Sequence, residues 1–135
     1  MLKTIKFLLI INLLCSPSVF ASINFTSNSD WMTEQKTYQQ FKENFLLLIS
    51  LAGQRGHHLS QEENATDAYW ACLYNQQLET MLKNNQKYQV EFDQEFAKRQ
   101  GSFDDALKGF GQFNIEMASY CTDIKAQYES KKNLT

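Results

Sequence analysis

The 135-residue sequence predicts an all-α domain, a small bundle of three or four helices, and three observations carry that expectation. The only proline, Pro17, lies in the N-terminal leader discussed below, although average usage of about 5% would place several in a chain of this size. Val90 is the single valine after residue 21, beside four isoleucines, while ten leucines and sixteen aromatic residues make up the main apolar mass. Strands favour β-branched residues and sheet proteins place proline in their turns. Leu, Met, Gln, Glu, Lys and Ala, which this chain has, suit helices. Finally, apolar residues recur at intervals of three and four along much of the chain.

The first residues read MLKTIKFLLIINLLCSPSVFAS. Lys3 and Lys6 form a positive region, FLLIINLL a short apolar one, and SVFA places modest or small residues three and one before a cut after Ala21. This is the layout of a cleavable signal peptide over residues 1–21, with an apolar run too short to span a bilayer. Cys15 falls inside it, and bulky Leu14 departs from a lipoprotein signal. The mature chain is then one domain over residues 22–135, with a loose leader at 22–29 and a polar tail at 129–135. Loss of Lys3 and Lys6 leaves 11 basic residues against 15 acidic ones, a formal charge of −4. That balance argues against nucleic acid or an anionic membrane surface as partner.

Ser29 or Asp30 can cap a first helix starting near Trp31. Its stripe is Tyr38, Phe41, Phe45, Leu48 and Ala52, and Phe45–Ala52 is apolar nearly all round. Gly53 and Gly56 are expected to end it. Ser60 with Glu63 fits a capping box that opens a second helix, with a stripe through Trp70, Tyr74, Leu78 and Met81. The same period continues through Asn85, Tyr88, Phe92 and Phe96, but Asn84–Asn85 places two poor helix formers in succession and marks a candidate break. Gly101 punctuates again, and Ser102 with Asp105 resembles a second capping box. The last stripe runs from Phe103 through Leu107, Phe110, Met117, either Tyr120 or Cys121, and Ile124 to Tyr128, with Gly109 and Gly111 inside it as marks of close packing or a kink.

Removal of the leader leaves two cysteines, Cys72 and Cys121, and an even count in an exported chain reads as one disulfide. There is no Cys-x-x-Cys for a redox site, and a two-cysteine zinc site would need two histidines nearby, whereas the only two, His57 and His58, are adjacent in an expected loop. The bond makes a geometric demand. Were residues 60–99 and 103–130 two straight helices joined at Gly101, Cys72 would lie opposite residue 130. The mismatch of nine residues is about 13 Å at ~1.5 Å per residue, and a disulfide needs Cα atoms within about 7 Å. A break at Asn84–Asn85 removes the mismatch; a second helix that stops near Phe92 is the other solution.

Little chemistry is legible. His57 and His58, with Glu62 and Glu63, are weak metal candidates in an expected loop, where adjacent residues seldom converge on one ion. Neither Glu-x-x-His pairs nor Cys-x-x-Cys-His occur. Met32, Met81 and Met117 read as core residues rather than haem ligands. No Gly-x-Ser-x-Gly elbow is present. Asp104–Asp105 and Glu62–Glu63 suit helix starts better than acid catalysis. Asn24, Asn64 and Asn133 stand in Asn-x-Thr sequons. No cofactor is expected.

The sequence therefore suggests a periplasmic or secreted helical binding protein that acts through a protein partner, as an inhibitor, immunity protein or chaperone does, and not an enzyme. Leu46, Leu47 and Ile49 of FLLLISLA, and Trp70 and Tyr74 of YWACLY, are the candidate contacts, because exposed aromatic and apolar residues anchor interfaces. After loss of the leader no stable membrane insertion is expected. The alternative is a bundle holding a small apolar ligand or haem in a hollow lined by Phe92, Phe96, Phe110 and Phe113.

Overall fold

The computed structural model describes residues 29–61 and 63–134. The expected signal peptide, its cut after Ala21, Glu62, Asn24 and the leader up to residue 28 lie outside them. The described residues form helices and no strand. A 3-10 turn at Ser29–Met32 precedes α1 (Tyr38–Gln61) and α2 (Ala65–Asn84). A second 3-10 turn, Gln86–Tyr88, leads into α3 (Gln89–Gln100), followed by α4 (Phe103–Glu116) and α5 (Ala118–Lys132).

Helices α1 and α2 form an antiparallel hairpin, with Arg55 beside Asp67 at its closed end and Gln35 beside Asn85 at the other. Between them lies the core of Phe41, Phe45, Leu48, Leu51, Ala52, Tyr74, Leu78, Met81 and Leu82, joined by Tyr88, Phe92, Phe103 and Phe110. Phe41 is fully buried, and the rings of Tyr38, Phe45, Tyr88, Phe92 and Phe103 surround it at 5.7–6.4 Å. Burying each such side chain contributes about 1.5–3 kcal/mol. The pair Ser102 and Asp105 closes a full capping box at α4: the Asp105 amide donates to Ser102 Oγ at 3.1 Å and the Ser102 amide to Asp105 Oδ2 at 3.0 Å. Gly101, at φ 99°, turns the chain from α3 into α4.

The break expected at the asparagine doublet is present, and Cys72 and Cys121 come to disulfide distance with Cα atoms 5.7 Å apart. With α2 ended at Asn84, the segment up to Gly101 no longer extends one straight helix, and α4–α5 runs back along α2 in a new register. Asn114 donates to the Asn75 carbonyl and to Glu79, Cys121 meets Cys72, and Tyr128 lies on Tyr69. Residue numbers thus rise on one side as they fall on the other. Gly111 lies at this crossing: a Cβ there would stand 3.3 Å from Glu79 Oε1, a tight contact that would press on the Glu79 side chain.

Other expected boundaries are corrected. The first helix does not start near Trp31; that residue sits in the 3-10 turn, and α1 begins at Tyr38. Nor does α1 stop at Gly53 or Gly56; it runs through both to Gln61, and neither glycine takes positive φ. Two isolated glycines cost about 1 kcal/mol each in a helix, while Leu51, Ala52 and the Arg55–Asp67 pair continue the packing on α2 past them. Ser60 therefore caps nothing and donates to the His57 carbonyl. Asn64 opens α2 instead: its Oδ1 accepts from the Asp67 amide at 2.8 Å and its Nδ2 donates to Asp67 Oδ2 at 2.7 Å. The last stripe divides at Met117 rather than at a glycine, so the described residues hold five α-helices instead of three or four. The expected polar tail at 129–135 is helical to Lys132, because nothing in Glu129–Lys132 breaks a helix.

Candidate functional site

The stretch YWACLY stands at the middle of the molecule because α2 is packed on two sides. Successive residues of a helix turn by about 100°, so its six residues are divided between the two. Tyr74, two residues on from Cys72, points into the core, and Trp70 packs partly buried against that core. Tyr69, Cys72, Leu73 and Gln76, spaced at i, i+3, i+4 and i+7, face α5.

The most organised surface lies along that second side. Tyr69 and Tyr128 stack in parallel, centroids 4.1 Å apart and planes 2° off. Trp70 meets both edge-on, at 5.4 Å from Tyr69 and 6.4 Å from Tyr128, and stacks on Tyr74 at 5.6 Å. Such edge-to-face and offset pairs are favoured by the ring quadrupole. Beside them is an open hollow of about 80 Å³, lined by Tyr69, Cys72, Leu73, Gln76, Cys121 and Lys125. Burial first, then the neighbouring Tyr128 and Glu129, raises the Tyr69 phenol above its ordinary value. The hollow thus presents aromatic and sulfur surface with one ammonium at its rim.

A polar cluster closes the neighbouring end of the hairpin. Arg55 Nη1 donates to Asp67 Oδ1 at 2.6 Å, and Asn64 holds the other carboxylate oxygen. The Arg55 bond, then the Asn64 bond, keep the Asp67 carboxyl below the usual carboxylate range. His58 Nδ1 stands 3.5 Å from the same Asp67 Oδ1.

The candidate contacts are separated by this geometry. Leu46, Leu47 and Ile49 are half-buried on α1, and Leu47 and Ile49 lean on the core; Trp70 is half-buried on α2. Tyr74 is corrected: at 4% exposure it is a core residue and offers no ring to a partner. The expected loop position of His57 and His58 is also corrected, since both lie on α1 with exposed rings 6.5 Å apart. Among the described residues, no three metal-ligating side chains gather. Phe92 packs on Phe96 at 4.9 Å, on Phe45 at 5.4 Å and on Phe103 at 5.5 Å, ring against ring where the expected ligand hollow would have to open.

Sequence reading placed Tyr128 only in the last apolar stripe and did not single out Tyr69, Arg55 or Asp67. A signal existed for the two tyrosines. Tyr69 lies one turn before Cys72 and Tyr128 two turns after Cys121, so helical periodicity places each on the face that carries its cysteine, although the register through the cysteines sets Tyr69 opposite Ile124, one turn short of Tyr128. For Asp67 the signal was Asn-x-x-Asp, a capping pattern at Asn64 that reads first as a sequon. Among the described residues no helix is long and apolar enough to cross a membrane. Comparison of the chain with protein-family models, with curated proteins and with solved structures gives no match, so its classification rests on its own residues as an all-helical domain.

Proposed function

We propose that the mature chain is an exported, periplasmic or secreted, helical binding protein that acts through a protein partner and is not an enzyme. The observation that carries this reading is the half-buried aromatic group of Tyr69, Trp70 and Tyr128 set beside the Cys72–Cys121 pair. Tyr and Trp anchor protein interfaces because they supply large contact area at low entropic cost and keep a polar atom for hydrogen bonding. Leu46, Leu47 and Ile49 on α1 are a second group of apolar contacts. The ring-on-ring filling of the core around Phe92 favours this reading over a bundle that holds a haem or a small apolar ligand. The export signal, one disulfide and an acidic surface fit an inhibitor, an immunity protein or a chaperone of an oxidising compartment.

The test is the hydrodynamic size of the mature protein in extract of its native compartment at its physiological concentration. A complex larger than the chain itself is expected. Tyr69→Ala and Leu46→Asp should each shift the protein toward free monomer, whereas Ile115→Ser, at a site 80% exposed, should not. Recovery of the unaltered protein as free monomer would overturn the reading.

A further inference from the structure

The fold divides its cohesion unevenly. Every residue of the buried core cluster, and every partly buried residue packed on it, lies at or before Phe110. Helix α5 contributes none. Of its 15 residues only Cys121 and Ile124 are buried, with Tyr128 stacked on Tyr69 as a third point of contact. Its Thr122 and Ser130 side-chain hydrogen bonds and its Lys125–Glu129 ion pair all close within the helix itself. It is entered through Met117, whose φ of −96° and ψ of 3° depart from helical values. A helix so slightly buried is near the length at which an isolated helix is marginal in water.

The tie at Cys121, though buried, borders an open hollow. Both cysteines line the open hollow beside Lys125, and they are 7% and 8% exposed. A cation near a disulfide favours both the approaching thiolate and the departing one.

We propose that α5 is a redox-released element: reduction of the Cys72–Cys121 bond by a dithiol frees Ala118–Lys132 from α2 while α1–α4 remain folded. One thiolate of the dithiol attacks a cysteine sulfur, the sulfur–sulfur bond breaks, and the other cysteine leaves as a thiolate that takes a proton from water. The second thiol of the reductant then displaces the mixed disulfide. Two electrons pass to the protein, Cys72 and Cys121 end as thiols, and the dithiol ends as a disulfide. Release uncovers Tyr69 and Leu73 on α2. The proposal rests on the packing of α5 and not on the partner reading above.

The test is amide hydrogen exchange, read by helix, on the full mature chain before and after treatment with dithiothreitol. Peptides from α5 should lose protection at least about tenfold. Peptides covering Phe41–Ala52 and Tyr74–Leu82 should keep theirs within about a factor of three. The Cys72→Ser/Cys121→Ser double variant, without reductant, should show the same pattern. Unchanged protection in α5 would overturn the proposal, and so would loss of protection in all helices together or failure of the double variant to fold.

Discussion

The Gln35 backbone amide donates to Asn85 Oδ1 at 2.7 Å across 50 residues of sequence, and Asn85 is completely buried. The Asn85 amide group donates in turn to the Thr33 and Met81 carbonyls at 3.1 and 2.8 Å. Tyr88 Oη donates to the Gln35 carbonyl at 2.8 Å, and Asn84 Nδ2 donates to the Met32 carbonyl. The doublet that ends α2 is thus the clasp that fastens the segment before α1 to the opposite end of the hairpin. A polar side chain at the helix break is retained because every hydrogen-bonding atom it buries is satisfied.

Asn85→Ala should destabilise the protein by about 3 kcal/mol, since it removes the Asn85 acceptor from the buried Gln35 amide and one donor each from the Met81 and Thr33 carbonyls, the latter keeping Gln35 Nε2. Asn85→Asp should cost at least as much, because a carboxylate would then face two carbonyl oxygens. Urea unfolding measures both; a loss under about 1 kcal/mol for Asn85→Ala would mean that water takes over the vacated site.

Stability should fall in acid in part through Asp67. Its folded pKa lies below its unfolded value of about 3.9, held there first by Arg55 and then by Asn64. Its contribution is therefore present above that value and is lost as the pH falls through the folded one. Glu79, Glu95 and Asp105 are lowered as well, so acid sensitivity is shared. Urea midpoints at pH 7 and pH 3 should differ less for Asp67→Asn than for the unaltered protein. Equal differences would remove Asp67 from the account.

The two possible caps of α2 can be told apart by one pair of variants. Asn64→Ala removes the acceptor of the Asp67 amide and should cost about 1–2 kcal/mol, the ordinary range for loss of an N-cap. Ser60→Ala removes a hydroxyl that only touches the His57 carbonyl and should leave stability within about 0.5 kcal/mol. The reverse order in thermal unfolding would restore the shorter α1.

Two glycines should respond with opposite signs. Gly56 lies inside α1 without positive φ, so Gly56→Ala should stabilise by about 0.5–1 kcal/mol through helix propensity. Gly101 sits at φ 99°, where a Cβ is strained, so Gly101→Ala should destabilise by about 1 kcal/mol or more. Stabilisation by both would contradict the turn between α3 and α4.

By itself the sequence determined the helical class and the capping pattern at Ser102, and it pointed to the pairing of Cys72 with Cys121 and to a break at Asn84–Asn85 as one of two ways to satisfy that pairing. These follow from local composition, from side chains that act within one turn, and from the fixed rise of a helix, which made a straight second helix incompatible with the bond. Only the tertiary structure decided that α1 runs through two glycines, that Asn64 replaces Ser60 as the cap, that Tyr74 is core and that Tyr69 meets Tyr128. In each of these, burial against a distant segment outweighs a local preference of about 1 kcal/mol. The stripe Trp70, Tyr74, Leu78 and Met81 marks the side of α2 that meets the core, whereas Tyr69, Cys72, Leu73 and Gln76 form no comparable apolar stripe, so the second side could be assigned only once α5 was in place.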